Sequence, residues 1–98
     1  MCIRDSSETS TGVINDLETI SSYIRAHKTA LSIVDCVTSL GACNVPIDEW
    51  KLDIVASGSQ KGYMIPPGLC FITMSQKAWE AAETVSYTHL TLPTILRV

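Results

Sequence analysis

Apolar positions follow two rhythms along this 98-residue chain. Leu17, Ile20 and Ile24 recur at helical spacing with Tyr23 beside them. That predicts a helix capped by Asn15 or Asp16 and ending near residues 27–29. Three other segments are short, nearly continuous apolar runs: LSIVDC (31–36), DIVAS (53–57) and LCFITM (69–74). Each reads as a buried strand. Residues 46–50, PIDEW, predict a short helical turn, and SQKAWEAAE (75–83) predicts a second helix capped by Ser75. The alternation indicates an α/β fold. The link from Ser57 to Leu69 holds Gly62, Pro66, Pro67 and Gly68 and has no room for a crossover helix. The sheet should therefore be mostly parallel, with one antiparallel strand at about 69–74.

Composition narrows the function. The length allows one domain, and 46% hydrophobic residues argue for an ordered chain. No apolar run approaches the roughly 18 residues of a membrane span, and no secretory leader is evident, so a cytoplasmic protein is expected. The net charge is −3 without a basic stripe, which argues against nucleic-acid binding. Cys2, Cys36, Cys43 and Cys70 fit no metal spacing and no CxxC. They read as reduced, mostly buried thiols, with no metal site expected.

The two ends are read as foreign to the fold. MCIRD matches the translation of a transposase mosaic end, and VSYTHLTLPT (85–94) matches its reverse strand continued into a sequencing adapter. On this reading residues 1–6 and 85–98 are adapter translation, and residues 7–84 are an internal piece of a cofactor-binding large domain. The tails are then expected to make few specific contacts, and the piece alone is expected to be poorly soluble.

The chemistry centres on Lys61, in the loop SGSQKGYMIPPG (57–68). It lies four residues beyond the expected carboxyl end of a strand, where ligands bind in open α/β sheets. If YMIPP excluded water there, desolvation would favour the free amine that a Schiff-base lysine requires. Its loop position alone suits an ordinary surface lysine better. Asp35 closes another strand and needs a cation or several donors, although turn capping is a simpler use. One suitable cation is a protonated pyridine nitrogen. Thr9, Ser10, Thr11, Ser57, Ser59 and Gln60 supply hydroxyls and an amide suited to a phosphate, or to ordinary turns. His27, Trp50 and Trp79 read as helix-end and core residues.

Together the segments ETSTGV, IVDCVTSLGA, DEWKLDIVASGSQKGYMIPPGLCFIT and SQKAWEAA resemble class V aminotransferases, which are fold-type I pyridoxal-phosphate enzymes. GSQKG.M.PPGL resembles the serine–glyoxylate and alanine–glyoxylate aminotransferases in particular, with ureidoglycine–glyoxylate aminotransferases near. The resemblance implies pyridoxal 5'-phosphate as cofactor, with Lys61 as the Schiff-base lysine and acid/base. It implies Asp35 at the pyridine nitrogen, and Thr9 and Gln60 as cofactor contacts. Small amino acids and 2-oxo acids would be the substrates, and the parent a homodimer. Cys70 departs from the small residue usual after PPGL. Desulfurases carry histidine immediately before the lysine, where this chain has Gln60. A ureidoglycine–glyoxylate aminotransferase, a desulfurase or a lyase on the same scaffold, and a non-enzymatic α/β binding module, remain the alternatives. A second phosphate loop, the ring-stacking aromatic and the substrate-carboxylate arginine fall outside the piece, which is expected to be inactive alone.

Overall fold

The computed structural model describes residues 2–8, 10–84, 96 and 97. Strands β1 (Cys2–Asp5), β4 (Ser32–Asp35), β5 (Ile54–Gly58), β6 (Cys70–Met74) and β7 (Leu96–Arg97) form one sheet in that order. Strands β2 (Ser7–Glu8) and β3 (Val13–Ile14) make a separate antiparallel pair. β1 and β4 are parallel, as are β4 and β5. β6 returns antiparallel to β5, as the short Gly/Pro link requires, and β7 is parallel to β6.

β1, β7 and the β2–β3 pair were not foreseen. The expectation of few contacts at the ends does not hold for Cys2–Asp5 and Leu96–Arg97, which pair with β4 and β6. An open sheet edge bonds through backbone N–H and C=O groups, so it selects weakly for sequence. Residues 85–95 and 98, which complete the C-terminal tail, lie outside the described residues.

Helix α1 (Leu17–Ala26) starts where expected. The Asp16 carboxylate accepts from Thr19 N–H at 3.2 Å and from Thr19 Oγ1 at 2.6 Å. Helix α2 (Gln76–Thr84) opens on Ser75, whose Oγ accepts from Ala78 N–H at 3.1 Å. Residues paired across the sheet share a face, and successive pairs alternate. The row Val34–Val55–Thr73 therefore opposes the row Ile33–Ile54–Met74. Leu17, Ile20 and Ile24 of α1 line one cleft with Val34 and Leu52. Ala78, Ala81 and Ala82 of α2 line another with Ile33, Ile54 and Met74.

The core groups Leu17, Val34, Cys36, Leu52 and Val55, with Leu40, Val45, Ile47 and Trp50 packed against it. The last four come from the connection between β4 and β5, which replaces a crossover helix. Its turn at 46–52 closes through Trp50 N–H to Pro46 O at 3.0 Å and Leu52 N–H to Ile47 O at 3.0 Å. The cysteines depart from expectation: Cys36 is buried, but Cys43 and Cys70 are exposed, and all three are free.

One buried carboxylate ties three elements. Asp53 Oδ2 accepts from Ser32 N–H at 2.9 Å and from Ser32 Oγ at 3.2 Å. Its Oδ1 accepts from Ser75 Oγ at 2.9 Å. In return Asp53 N–H donates to Ser32 Oγ at 2.9 Å, and Ser75 N–H donates to Asp53 O at 2.7 Å. The starts of β4, β5 and α2 are thereby joined.

A second constraint lies at the other end of the sheet. The backbone at 40–42 packs directly on Gly62. A Cβ at Gly62 would stand 2.9 Å from Ala42 N, and one at Gly41, where φ is +94°, would stand 2.9 Å from Gly62 C.

Two variants test these constraints by urea unfolding. Asp53→Ala strands the buried Ser32 amide and should lower stability by about 2–3 kcal/mol. Gly62→Ala overpacks two backbones and should cost about 1–3 kcal/mol. An unchanged midpoint in either variant contradicts the corresponding constraint.

Candidate active site

Because β1, β4 and β5 are parallel, their carboxyl ends Asp5, Asp35 and Gly58 lie along one edge of the sheet. The backbone locks the three exits together. Ser6 N–H donates to Asp35 O at 2.9 Å, and Cys36 N–H donates to Ala56 O at 2.8 Å. The chain leaving β5 reaches Lys61 three residues beyond the strand.

Asp35, Gln60 and Lys61 are brought to this edge, and all three are exposed. Asp35 Oδ1 accepts from Val37 N–H at 2.9 Å, which orients the carboxylate by a local turn. Gln60 folds back over the end of β5, its Oε1 only 3.1 Å from where a Cβ on Gly58 would stand. Among the described residues, Lys61 has no ion-pair or side-chain hydrogen-bond partner. Thr9 lies outside the described residues. Ser10 and Thr11 sit in the exposed turn between β2 and β3.

The loop after β5 differs from expectation in one respect. It is pinned but not dry. Tyr63, Met64 and Ile65 are exposed, Met64 by 89%, so within this chain they do not shield Lys61 from water. They precede two prolines, and Tyr63 meets the Phe71 ring edge-on at 5.3 Å.

Two expected donors are also withdrawn. Ser57 is buried inside β5, and the Ser59 hydroxyl is committed to Pro66 O at 2.8 Å and Leu69 N–H at 3.3 Å. Hydroxyls that sequence reasoning passed over stand at the same edge. Ser6 and Ser39 hydrogen-bond to each other, and Ser7 Oγ lies 2.5 Å from Thr38 Oγ1. Their signal was position: each lies within four residues of the carboxyl end of a parallel strand.

Cys36 follows Asp35 but is no nucleophile. Burial pushes its thiol up, hydrogen bonds with the Ser6 and Ser39 hydroxyls oppose this, and the Asp35 carboxylate adds to the rise. It stays protonated near neutrality.

The edge is open rather than enclosed. A cavity of about 510 Å3 lies at the opposite end of β5, lined by residues including Arg25, Lys51, Asp53, Thr73 and Lys77. None of Asp35, Gln60 and Lys61 lines it.

Comparison with known proteins agrees with this topology. Residues 4–91 match the family model described as Aminotransferase class-V. The chain is 70% identical over 80 residues to the soluble hydrogenase small subunit of Synechococcus sp. (strain PCC 6716), covering 82% of this chain and 21% of that protein. It is 47% identical over 78 residues to the L-aspartate–glyoxylate aminotransferase of Paracoccus denitrificans, covering 79% and 20%. The crystal structure of alanine–glyoxylate aminotransferase from Nostoc sp. superposes with a TM-score of 0.78 at 34% identity, covering 94% of this chain and 23% of that one. The chain thus spans about a fifth of the length of the curated relatives it matches. A mixed sheet with a lysine loop and an aspartate at one carboxyl edge, and a family match across most of the chain, identify it as part of a class V aminotransferase.

Proposed function

We propose that the protein containing this segment is a pyridoxal-phosphate-dependent aminotransferase that moves an amino group from serine or alanine to glyoxylate. The observation that carries the reading is the placement of Lys61 and Asp35 on the same edge, at the carboxyl ends of adjacent parallel strands. The donor set fits the cofactor. An accessible primary amine suits its aldehyde, and an oriented carboxylate suits its ring nitrogen. The hydroxyls at the edge are engaged with one another, so the phosphate would draw most of its partners from the rest of the protein.

Bound there, the cofactor would supply the electron-withdrawing ring that acidifies the substrate Cα–H. Lys61 would hold the aldehyde through its Nζ and, once released, carry a proton between carbon atoms as a general base and acid. Asp35, turned by Val37 N–H, would keep a proton on the ring nitrogen. Gln60, folded against Gly58, would contact the ring or phosphate, and Thr9 would add a polar contact to the cofactor. Residues 7–84 are the part of the enzyme's large domain that this reading uses. A homodimer of the full protein, found in the cytoplasm, completes the proposal. Among the described residues, no helix is long and apolar enough to cross a membrane.

Glyoxylate is the acceptor named in both aminotransferase relatives above, while the donors named are aspartate and alanine. The assay therefore presents serine, alanine and aspartate separately with glyoxylate to the full-length protein. Serine or alanine should be preferred. Lys61→Ala should cost at least about a thousandfold in kcat and Asp35→Asn at least about a hundredfold. The isolated 98-residue chain should transfer nothing. Preference for aspartate would overturn the donor assignment, and full activity in Lys61→Ala would overturn the role of Lys61. The 70% identical relative is named as a hydrogenase subunit, so hydrogen-dependent dye reduction is measured alongside. That activity without amino transfer would overturn the reading.

A further inference from the structure

We propose that Ser59 is a positioning residue for Lys61, holding both feet of the loop that presents the amine. This rests on the reading of Lys61 as the cofactor lysine. Ser59 is 0% exposed. Its three polar groups make four hydrogen bonds, all to the far limb of the same loop. Its N–H donates to Leu69 O at 3.1 Å, and its C=O accepts from Ile65 N–H at 3.2 Å. Its Oγ donates to Pro66 O at 2.8 Å and accepts from Leu69 N–H at 3.3 Å. The arc between these feet contains Lys61 and is closed by Met64 N–H to Lys61 O at 3.0 Å.

The serine is chemically specific. Two of the four bonds are backbone bonds that any residue could make. The other two need a side-chain group that donates and accepts at once and fits a space with no exposure. The hydroxyl donates to the Pro66 carbonyl while accepting from the Leu69 amide, so one group ties two points of the far limb. On its outer side the arc rests through Gly62 on the 40–42 backbone, which stops the loop from moving the other way. Lys61 is therefore aimed by one buried hydroxyl rather than by any contact of its own side chain among the described residues.

The test uses the full-length protein loaded with pyridoxal phosphate and compares Ser59→Ala, Ser59→Cys and Lys61→Ala. The readouts are the visible circular dichroism of the bound cofactor per unit absorbance, and kcat and KM for the amino donor. Dichroism reports how rigidly the chromophore is held, which a loss of global stability alone would not change. Ser59→Ala should bind cofactor yet lose about half or more of its dichroism, with kcat down about tenfold and KM within about twofold. Ser59→Cys, similar in volume with a weaker donor, should fall between. Wild-type dichroism and kcat in Ser59→Ala overturn the inference. Should the alanine variant not fold, the same result in Ser59→Cys overturns it. Lys61→Ala separates the two claims. If it keeps the Schiff-base absorption band, the reading of Lys61 fails and this inference with it. If it loses the band while Ser59→Ala behaves as wild type, only the inference fails.

Discussion

The register between β4 and β5 is the constraint on which the candidate site depends, and Ser32 and Asp53 set it. They exchange side-chain and backbone hydrogen bonds at the start of the two strands. From that fixed point the ladder pairs Ile33 with Ile54, Val34 with Val55 and Asp35 with Ala56. A slip of one residue would turn every following side chain to the opposite face. It would exchange Val55 in the core with its neighbours and move Asp35 to the other side of the sheet. The clasp is buried, so its hydrogen bonds are costly to leave unmade, and it also carries the start of α2 through Ser75. Residues at the amino end of the strands thus decide what meets at the carboxyl end.

Rigidity and dryness separate at the lysine loop. Rigidity comes from within the chain: the four hydrogen bonds of Ser59 and the backbone contact of Gly62 with residues 40–42. Dryness does not. Tyr63, Met64, Ile65 and Leu69 expose between 41% and 89% of their surface. At about 25 cal/mol per Å2, covering such side chains is strongly favourable. Holding the lysine loop is therefore local, whereas covering its apolar residues is not achieved among the described residues.

Much of the fold was legible in the sequence where local rules decide it. The spacing of Leu17, Ile20 and Ile24 and the cap at Asp16 gave α1, and Ser75 gave the start of α2. The Gly/Pro content after Ser57 gave the antiparallel return of β6. The placement of Asp35 at a strand end and of Lys61 beyond another followed from the same runs. β1 and β7 were not legible, because edge pairing uses backbone groups common to every residue. The roles of Ser57 and Ser59 stayed open in the sequence for a related reason. A serine looks the same in sequence whether its hydroxyl faces a ligand, the core or its own loop. Only the distances to Pro66 and Leu69 distinguish the last case. The shielding of Lys61 failed because an apolar loop dries its surroundings only when something packs on it.

The most direct test of the central claim is chemical mapping of the cofactor's attachment point. The full-length protein is loaded with pyridoxal phosphate, reduced with borohydride and digested with trypsin. If Lys61 holds the aldehyde, the label lies on the peptide running from Leu52 to Lys77, with cleavage blocked at Lys61. A label on any other lysine, or none after reduction, would contradict the account.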